Sequence, residues 1–366
     1  AYDSSCKADD MPPASVPAKL AQVLHARWAA GKAGVIILSC ELIDHNGAEL
    51  LRIVKKHVED WGWEADFAAW LDNDCTFCTT LVDTIVPGRI RDAEEAARVA
   101  ERLGYDDPFL AVREPFQMWG IQGDESLKEK LPFTKAGLPG VFVTPDVTPY
   151  KKRKVRILNG AHTCFVPGAW LAGFDIVRDC MHDEVVRNFM NKMLYNEVIP
   201  TLAADLDVED CKQFAAAVEN RFDNPFIDHQ LLSICLNSTA KWRARDLPTL
   251  KDYVASEGRL PRCLATSLAT LIAFYTTGLA GLQDDGLHLR RPDGAAYVAQ
   301  DDASVLEFYV SHAADDDATL VHAVLTNEQM WGEDLTAIEG LEDFVTAMLD
   351  VVRAHGAKAA YAAALA

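Results

Sequence analysis

The run KKRKVRILNGAHTCFVPGAW, residues 151–170, gathers an amine, an amide and an imidazole within nine residues. These groups belong to Lys154, Asn159 and His162. The residues on both sides of Asn159 and His162 are apolar, so both polar side chains are expected in a core or in the wall of a cleft. Buried polar groups need hydrogen-bond partners or a function. The run therefore predicts a site at which a proton can be moved and a developing negative charge held.

Lys154 is flanked on both sides by basic residues. Neighbouring positive charges disfavour the ammonium form, so this amine should release its proton more readily than an isolated lysine. A basic run alone is more often a solvated patch or an address signal, and Asn159 and His162 also fit a helix cap and a core histidine. On a straight helix Asn159 and Lys154 lie about 140° apart. Lys154 is therefore predicted to enter from the first turn of a helix or from the loop before it.

The rest of the chain divides into two kinds of pattern. Helix and strand signals alternate over residues 1–146, where GVIILSC at 34–40 is typical of a buried parallel strand. Apolar stripes at helical spacing dominate residues 147–366, including a predicted helix at NPFIDHQLLSICLN, residues 224–237. The glycine-rich segment at 281–302 is predicted as a surface loop. We therefore predict an α/β N-terminal part, residues 1–146, followed by a mainly α-helical part, residues 147–366.

Composition excludes several classes of partner. The net charge of -20 argues against nucleic acid and against anionic membranes. No window holds the roughly 20 apolar residues of a spanning helix. The 9 cysteines have no paired spacing and are expected as reduced thiols of a cytoplasmic protein. Cys75 and Cys78 form a lone CxxC, whereas a structural zinc site needs about four ligands, so no metal is predicted.

The spacing of Lys154, Asn159 and His162 resembles the catalytic signature of the long-chain polyol dehydrogenases, the mannitol dehydrogenase family. The likeness continues in order through CELIDHNG, FCTTLVDTIVPG, PYKKRKVRILNGAHT, NPFIDHQLLSICLN and SLATLIAFY. It implies a reversible, metal-independent hydride transfer between NAD(H) and the carbonyl carbon of a sugar acid. Tagaturonate and altronate are the expected pair, and fructuronate or mannitol is the alternative within the family.

The resemblance also implies roles for the site residues. Lys154 would be the general acid-base, Asn159 would donate a hydrogen bond to the oxygen as negative charge develops, and His162 would orient the lysine or the substrate. The family supplies a second asparagine, which Asn46 matches best. Asn46 followed by Gly47 is also typical of a turn and a helix start.

Four further residues are candidates for contacts with the substrate. Lys241 or Arg245 in STAKWRARDLP is expected to bind the substrate carboxylate, although basic residues at a helix end are also ordinary partners of the helix dipole. His229 could contact substrate hydroxyls or lie in the core. Lys151 stands where the mannitol branch has a carboxylate, which favours a uronate, unless this lysine is simply solvated.

The chain contains no GxGxxG turn to hold a dinucleotide pyrophosphate. Its first residues, AYDSSCKADDMPP, resemble a point inside the nucleotide-binding domain of the family. The resemblance therefore implies that residues 1–146 are an incomplete Rossmann-type nucleotide-binding domain, without its glycine-rich first units, and that residues 147–366 are the helical catalytic and substrate domain. We expect the chain to be part of a longer polypeptide. The alternative is a non-catalytic binding protein that has lost its cofactor. Cys40 and Glu41 remain as candidates for contact with NAD, and the choice of NAD over NADP rests on the resemblance alone.

Overall fold

The computed structural model describes residues 1–86, 88–90 and 92–366, and contacts divide the chain into two compact units. The first unit comprises Ala1–Val86 and Val112–Lys151, and the second comprises Pro87–Ala111 and Lys152–Ala366. The assignment of a cofactor domain to residues 1–146 and of a substrate domain to 147–366 stays a prediction.

The first unit is built around a mixed sheet. The strands follow the order β1-β2-β3-β4, with β1 parallel to β2, β2 antiparallel to β3 and β3 parallel to β4. The α/β architecture predicted for this part of the chain is confirmed. The strands are β1 (Ile36–Ser39), β2 (Thr76–Asp83), β3 (Met118–Gln122) and β4 (Val141–Thr144).

Helices from the N-terminal part of the chain pack around this sheet or lie in the segment 87–111. Helix α2 (Asn46–Asp60) lies so close to β2 that a Cβ atom on Gly47 would come within 2.4 Å of the backbone carbonyl carbon of Cys78. Glycine at this position therefore sets the helix against the strand. The helices are α1 (Val16–Ala29), α2 (Asn46–Asp60), α3 (Ala65–Asn73), α4 (Ala93–Leu103), α5 (Glu125–Lys130) and α6 (Thr148–Arg153), with a 3-10 turn at Pro132–Ala136.

The second unit is mainly helical, as predicted. Among the described residues, no helix is long and apolar enough to cross a membrane. The helices are α7 (Gly160–Leu171), α8 (Val177–His182), α9 (Glu184–Lys192), α10 (Ile199–Leu202), α11 (Val208–Phe222), α12 (Leu231–Ile234), α13 (Ser238–Arg245), α14 (Leu247–Glu257), α15 (Arg262–Thr276), α16 (Ala303–Ser311), α17 (Asp317–Leu325), α18 (Glu328–Trp331), α19 (Leu341–His355) and α20 (Ala357–Leu365), with π-helical turns at Lys154–Asn159 and Met193–Val198 and a 3-10 turn at Leu335–Ala337.

Helix α7 is the centre of this unit because every one of its residues is buried. It packs against α15, which is also buried almost throughout. The hydroxyl of Tyr361 in α20 donates a hydrogen bond of 2.6 Å to the carbonyl oxygen of Phe165. A Cβ atom on Gly168 would lie 2.1 Å from the same hydroxyl oxygen. The small residues of α7 therefore allow its neighbours to approach closely.

The prediction of a surface loop at 281–302 is wrong. The segment contains an antiparallel sheet of three strands, β5 (Gly281–Gln283), β6 (Gly286–Arg290) and β7 (Ala296–Ala299). Leu287 and Leu289 alternate with polar residues along β6, and both are buried. An alternation of period two buries one face of a strand. Glycines and charged residues obscured this short pattern in the sequence.

The predicted helix over 224–237 is also wrong for most of its length. Only Leu231–Ile234 is helical, and Gln230 pairs with Ile176 in an isolated antiparallel bridge. The carbonyl oxygen of His229 accepts a hydrogen bond from the backbone N–H of Val177. These pairings hold the residues before Leu231 in a non-helical conformation, in which Ile227 is buried and Phe226 is exposed.

A substitution in β6 tests the buried sheet. Leu289→Ala should lower the free energy of unfolding by about 2–5 kcal/mol because it leaves a cavity at a side chain that is 1% exposed. Leu282→Ala in β5 is the control, since that side chain is 39% exposed. We expect the control to change stability by about 0.5 kcal/mol or less. Urea denaturation measures both, and equal effects would argue against the sheet.

Candidate active site

Lys154 begins a π-helical turn, Lys154–Asn159, which lies between α6 and α7. The prediction that Lys154 enters from a first turn or a loop is therefore wrong. A π-helix hydrogen-bonds residue i to residue i+5, so its turn holds one more residue than an α-helical turn. Lys154 and Asn159 are five residues apart and thus stand one turn apart. The extra residue brings together two side chains that a straight α-helix would separate.

Gly160 closes this turn. Its backbone N–H donates to the carbonyl oxygens of Val155 and Ile157, and the first of these bonds spans five residues. Inserted π-turns of this kind are often found at functional sites. Gly160 directly follows Asn159 and closes the turn that Lys154 begins.

The backbone of Asn159 is held by two side chains. The hydroxyl of Thr163 donates a hydrogen bond of 3.0 Å to the carbonyl oxygen of Asn159. Nη1 of Arg245 lies 3.0 Å from the hydroxyl oxygen of Thr163 and 3.5 Å from the same carbonyl oxygen. The end of α13 is thereby fastened to the start of α7. Asn159 itself is half-buried.

His162 is a buried, neutral imidazole. Its ring stacks on Phe222 at a centroid distance of 4.1 Å and meets the ring of His229 edge-on at 5.3 Å. Burial lowers the pKa of His162 well below its ordinary value, and His229, Arg245 and Lys241 act in the same direction. Within the described residues, its Nε2 atom has no hydrogen-bond partner. This nitrogen is therefore suited to a partner that the chain does not supply.

The two basic candidates for the carboxylate, Lys241 and Arg245, lie in α13. Nζ of Lys241 donates a hydrogen bond of 2.9 Å to the carbonyl oxygen of Ile234. Burial lowers the pKa of Lys241, and the charge of Arg245 lowers it further. Burial also lowers the pKa of Arg245. Both cations are partly removed from water, which strengthens their attraction for an anion.

The contacts above link Asn159, His162, Lys241 and Arg245 in one part of the second unit. Lys154 belongs to the same π-helical turn as Asn159. His229 joins them through its ring contact with His162. Its extended backbone, and not a helix, presents it there. Burial lowers the pKa of His229 as well.

The other candidates belong to the first unit. Lys151 forms an ion pair with Asp44. Asn46 is 2% exposed, and its Nδ2 donates to the carbonyl oxygens of Glu41 at 2.9 Å and Thr80 at 3.0 Å. Its Oδ1 accepts from the backbone N–H of Thr80 at 2.9 Å. Asn46 thus ties the segment after β1 to β2, and a contact with substrate would have to replace one of these bonds.

Cys40 and Glu41 directly follow β1 and are exposed. Because β1 and β2 are parallel, their carboxyl ends lie at one edge of the sheet. Cys75 and Cys78 are buried thiols in two different apolar clusters. Among the described residues, no group of three His, Cys, Asp or Glu side chains could hold a metal ion.

The sequence analysis missed two residues of this site. Phe222 stacks on His162, and Asp246 is a carboxyl group that is only 1% exposed beside Gly160. Asp246 ends the basic run KWRAR and is followed by Leu247 and Pro248. The available sequence signal for Asp246 was a single acidic residue between a basic run and an apolar helix start.

Comparison with known proteins identifies the class. Residues 11–135 match the mannitol dehydrogenase Rossmann domain, and residues 146–352 match the mannitol dehydrogenase C-terminal domain. The chain therefore belongs to the mannitol dehydrogenase family, and the resemblance found in the sequence is confirmed.

Relatives named altronate oxidoreductase match nearly the whole chain. The protein from Yersinia enterocolitica is 42% identical over 99% of this chain and 74% of its own length. The protein from Escherichia coli is 41% identical over 98% of this chain and 73% of its own length.

Two solved structures share the fold. Pseudomonas fluorescens mannitol 2-dehydrogenase, in a ternary complex with NAD and D-mannitol, has a TM-score of 0.70 at 22% identity. Substrate-free D-sorbitol dehydrogenase has a TM-score of 0.75 at 23% identity. The matches cover 96% and 95% of this chain, which spans 66% of each of those two chains.

The buried imidazole predicts a pH effect on stability. Because the native pKa of His162 lies below that of the unfolded chain, about 6.5, only the unfolded state binds a proton just below that pH. The free energy of unfolding should therefore fall as the pH drops below about 6.5. In His162→Phe this contribution disappears, and the loss between pH 7.5 and 5.5 should be smaller by up to about 1.4 kcal/mol.

Urea denaturation at the two pH values measures this difference. His355→Gln removes an exposed imidazole at the end of α19 and controls for the loss of any one histidine. If His162→Phe and the wild-type protein lost equal stability, His162 would not be held neutral by burial.

Proposed function

We propose that the protein is an NAD-dependent oxidoreductase that reversibly reduces tagaturonate to altronate, with Lys154 as the general acid-base. The main support for this proposal is the π-helical turn, in which Lys154 and Asn159 lie one turn apart. The buried His162 follows in the next helix. The similarity to altronate oxidoreductases over 99% of the chain supports the choice of substrate.

NAD fits the described residues in part. Ligands of open α/β sheets bind beyond the carboxyl ends of parallel strands, where Cys40 and Glu41 lie exposed after β1. Glu41 would accept hydrogen bonds from ribose hydroxyls and Cys40 would line the same edge. The pyrophosphate needs a glycine-rich turn that this chain does not contain. When bound, the reduced cofactor supplies the hydride for the carbonyl carbon.

The residues of the second unit supply the proton chemistry. The ammonium group of Lys154 donates a proton to the carbonyl oxygen as that oxygen gains negative charge, and the neutral amine takes the proton back in the oxidation. The side-chain amide of Asn159 donates a hydrogen bond to the same oxygen and stabilises the charge in the transition state. His162, neutral at physiological pH, orients a substrate hydroxyl through Nε2.

A sugar acid needs a cation for its carboxylate. Lys241 is the better candidate, because its Nζ makes one hydrogen bond within the described residues, to Ile234, and has two further N–H donors, whereas Arg245 holds Thr163 and the backbone of Asn159 in place. The ion pair of Lys151 with Asp44 weakens the case for Lys151. A half-buried ammonium ion binds a carboxylate more strongly than a solvated one.

Steady-state kinetics with the protein from its full reading frame test the substrate. NADH, tagaturonate, fructuronate, fructose and the corresponding alcohols form the panel. Oxidation of NADH should depend on tagaturonate, with a kcat/KM at least about tenfold above that for the other carbonyl compounds. Turnover of fructuronate or fructose alone would assign the alternative function within the family, and no turnover at all would contradict the proposal.

Substitution of Lys154 tests the acid-base role. Lys154→Ala should retain less than a tenth of kcat, because the loss of proton transfer raises the barrier by more than about 1.4 kcal/mol. The matched control is Lys152→Ala, since Lys152 pairs with Asp205. The control should stay within about threefold of wild type. More than a tenth of the rate in Lys154→Ala, with unchanged circular dichroism, would rule out this role.

Substitution of Lys241 tests the carboxylate site. Lys241→Met keeps the length of the side chain but removes a charge-assisted hydrogen bond, which contributes about 1.5–3 kcal/mol. The KM for tagaturonate should rise about 10- to 150-fold while the KM for NADH stays within twofold. Arg243→Met, in the same helix but exposed, is the control. Equal KM values in both variants would exclude Lys241.

A further inference from the structure

Asp246 stands between α13 and α14 and does not do what an aspartate in that position usually does. It occupies the N-cap position of α14, where an Asp side chain normally accepts a hydrogen bond from the backbone of the first turn. Here the side chain makes no capping bond. It is 1% exposed, and within the described residues its Oδ2 has no hydrogen-bond partner. The carboxyl group is therefore directed into the protein interior.

The carboxyl group packs against Gly160. A Cβ atom on Gly160 would lie 2.9 Å from Oδ1 of Asp246 and 3.5 Å from the carbonyl oxygen of Val155. Gly160 has an ordinary helical backbone, so a left-handed conformation does not explain the glycine. The missing side chain instead leaves the room that Asp246 occupies. Asp246 and Gly160 thus fit each other as a pair.

Gly160 is the residue that closes the π-helical turn. Its N–H reaches Val155 across five residues, which is the bond that gives the turn its extra residue. Asp246 therefore packs against the residue that closes the turn from Lys154 to Asn159.

Neighbouring side chains fasten the same part of the turn to α13 and α14. Arg245 reaches the carbonyl oxygen of Asn159, and Nη1 of Arg156 lies 2.5 Å from the hydroxyl oxygen of Thr249. Arg156 also pairs with Asp252 at 3.2 Å. Arg245 directly precedes Asp246 in the sequence, and Arg156 lies in the π-helical turn. The positive charges of both arginines attract the carboxyl group of Asp246.

We propose that Asp246 is a positioning residue for the reaction: its carboxyl group, packed against Gly160, fixes the π-helical turn that holds Lys154 and Asn159 one turn apart. The proposal rests on the proposed function for its catalytic consequence. The structural claim, that Asp246 fixes the turn, rests only on the contacts described above.

The surroundings of Asp246 indicate that its side chain acts on the turn through packing and not through charge. Burial raises the pKa of Asp246 well above its ordinary range, although Arg245 and Arg156 oppose this. A protonated carboxyl group and a carboxamide have nearly the same shape. Asp246→Asn should therefore keep the turn, whereas Asp246→Ala removes the group that fills the space beside Gly160.

Kinetics of these two variants, in the protein from its full reading frame, give the first test. Asp246→Ala should lower kcat for the sugar acid at least about 30-fold with the KM for NADH within twofold, and Asp246→Asn should stay within about threefold of wild type. Glu257→Ala is the matched control, an exposed carboxylate at the end of α14 that pairs with Arg259. An Asp246→Ala variant within threefold of wild type, or an Asp246→Asn variant as impaired as Asp246→Ala, overturns the proposal.

A second test does not depend on turnover. Hydrogen exchange of the amides at 155–160 should be at least tenfold faster in Asp246→Ala than in wild type, and unchanged in Glu257→Ala. Gly160→Ala should lower Tm in the wild-type background, and its effect should be smaller by at least about 3 °C in the Asp246→Ala background, where the space is free. Unchanged exchange together with equal Tm shifts overturns the positioning role.

The two tests separate the two proposals. If the wild-type protein turns over no member of the substrate panel, the proposed function fails while exchange and Tm still decide whether Asp246 holds the turn. If wild type is active and Asp246→Ala is equally active, the positioning role fails and the proposed function stands.

Discussion

The closure of the π-helical turn at Gly160 is the constraint on which the rest of the site depends. A π-turn is rarely stable alone, and here it runs directly into α7, a helix that is buried on every side. Because the interior is close-packed, α7 cannot shift to relieve the extra residue. The turn and the helix are therefore fixed together, and the core sets the positions of the amine of Lys154 and the amide of Asn159.

Burial also sets the protonation of the groups around the turn. His162 gains no charge at physiological pH because transfer of an imidazolium ion into a buried site is unfavourable. Lys241 and Arg245 are half-buried, and burial lowers the pKa of both. In a chain with a net charge of -20, these cations would supply the local positive potential that the proposed anionic substrate requires.

How far the sequence predicted the structure depended on the length of each pattern. The buried run around Asn159 and His162, the parallel pair that begins with GVIILSC and the helical second half all have long, regular patterns, and all are confirmed in the fold. The sheet at 281–302 was missed because each strand has five residues or fewer and glycines interrupt the alternation. The extended segment before Leu231 was missed because its backbone partners, Ile176 and Val177, are distant in sequence.

The π-helical turn could not be predicted from hydrophobic periodicity, for a different reason. Hydrophobic spacing assumes one repeat along a helix, and a single inserted residue changes the phase without any distinctive residue type. The roles of Lys154, Asn159 and His162 came from the resemblance, and the contacts add how they are held. No spacing rule links Asp246 to Gly160, because the pair is separated by most of α7 and by six further helices.

The raised pKa of Asp246 reduces an apparent conflict between stability and binding. A buried carboxylate beside Arg156 and Arg245 would offset part of the positive potential that attracts a sugar acid. Because burial raises the pKa of Asp246, the carboxyl group that fills the space beside Gly160 is ionised less readily than an exposed aspartate. The two arginines then retain their charge for the surroundings of the turn. A carboxyl group can thus support the position of the amine and leave the field at an anion-binding site largely intact.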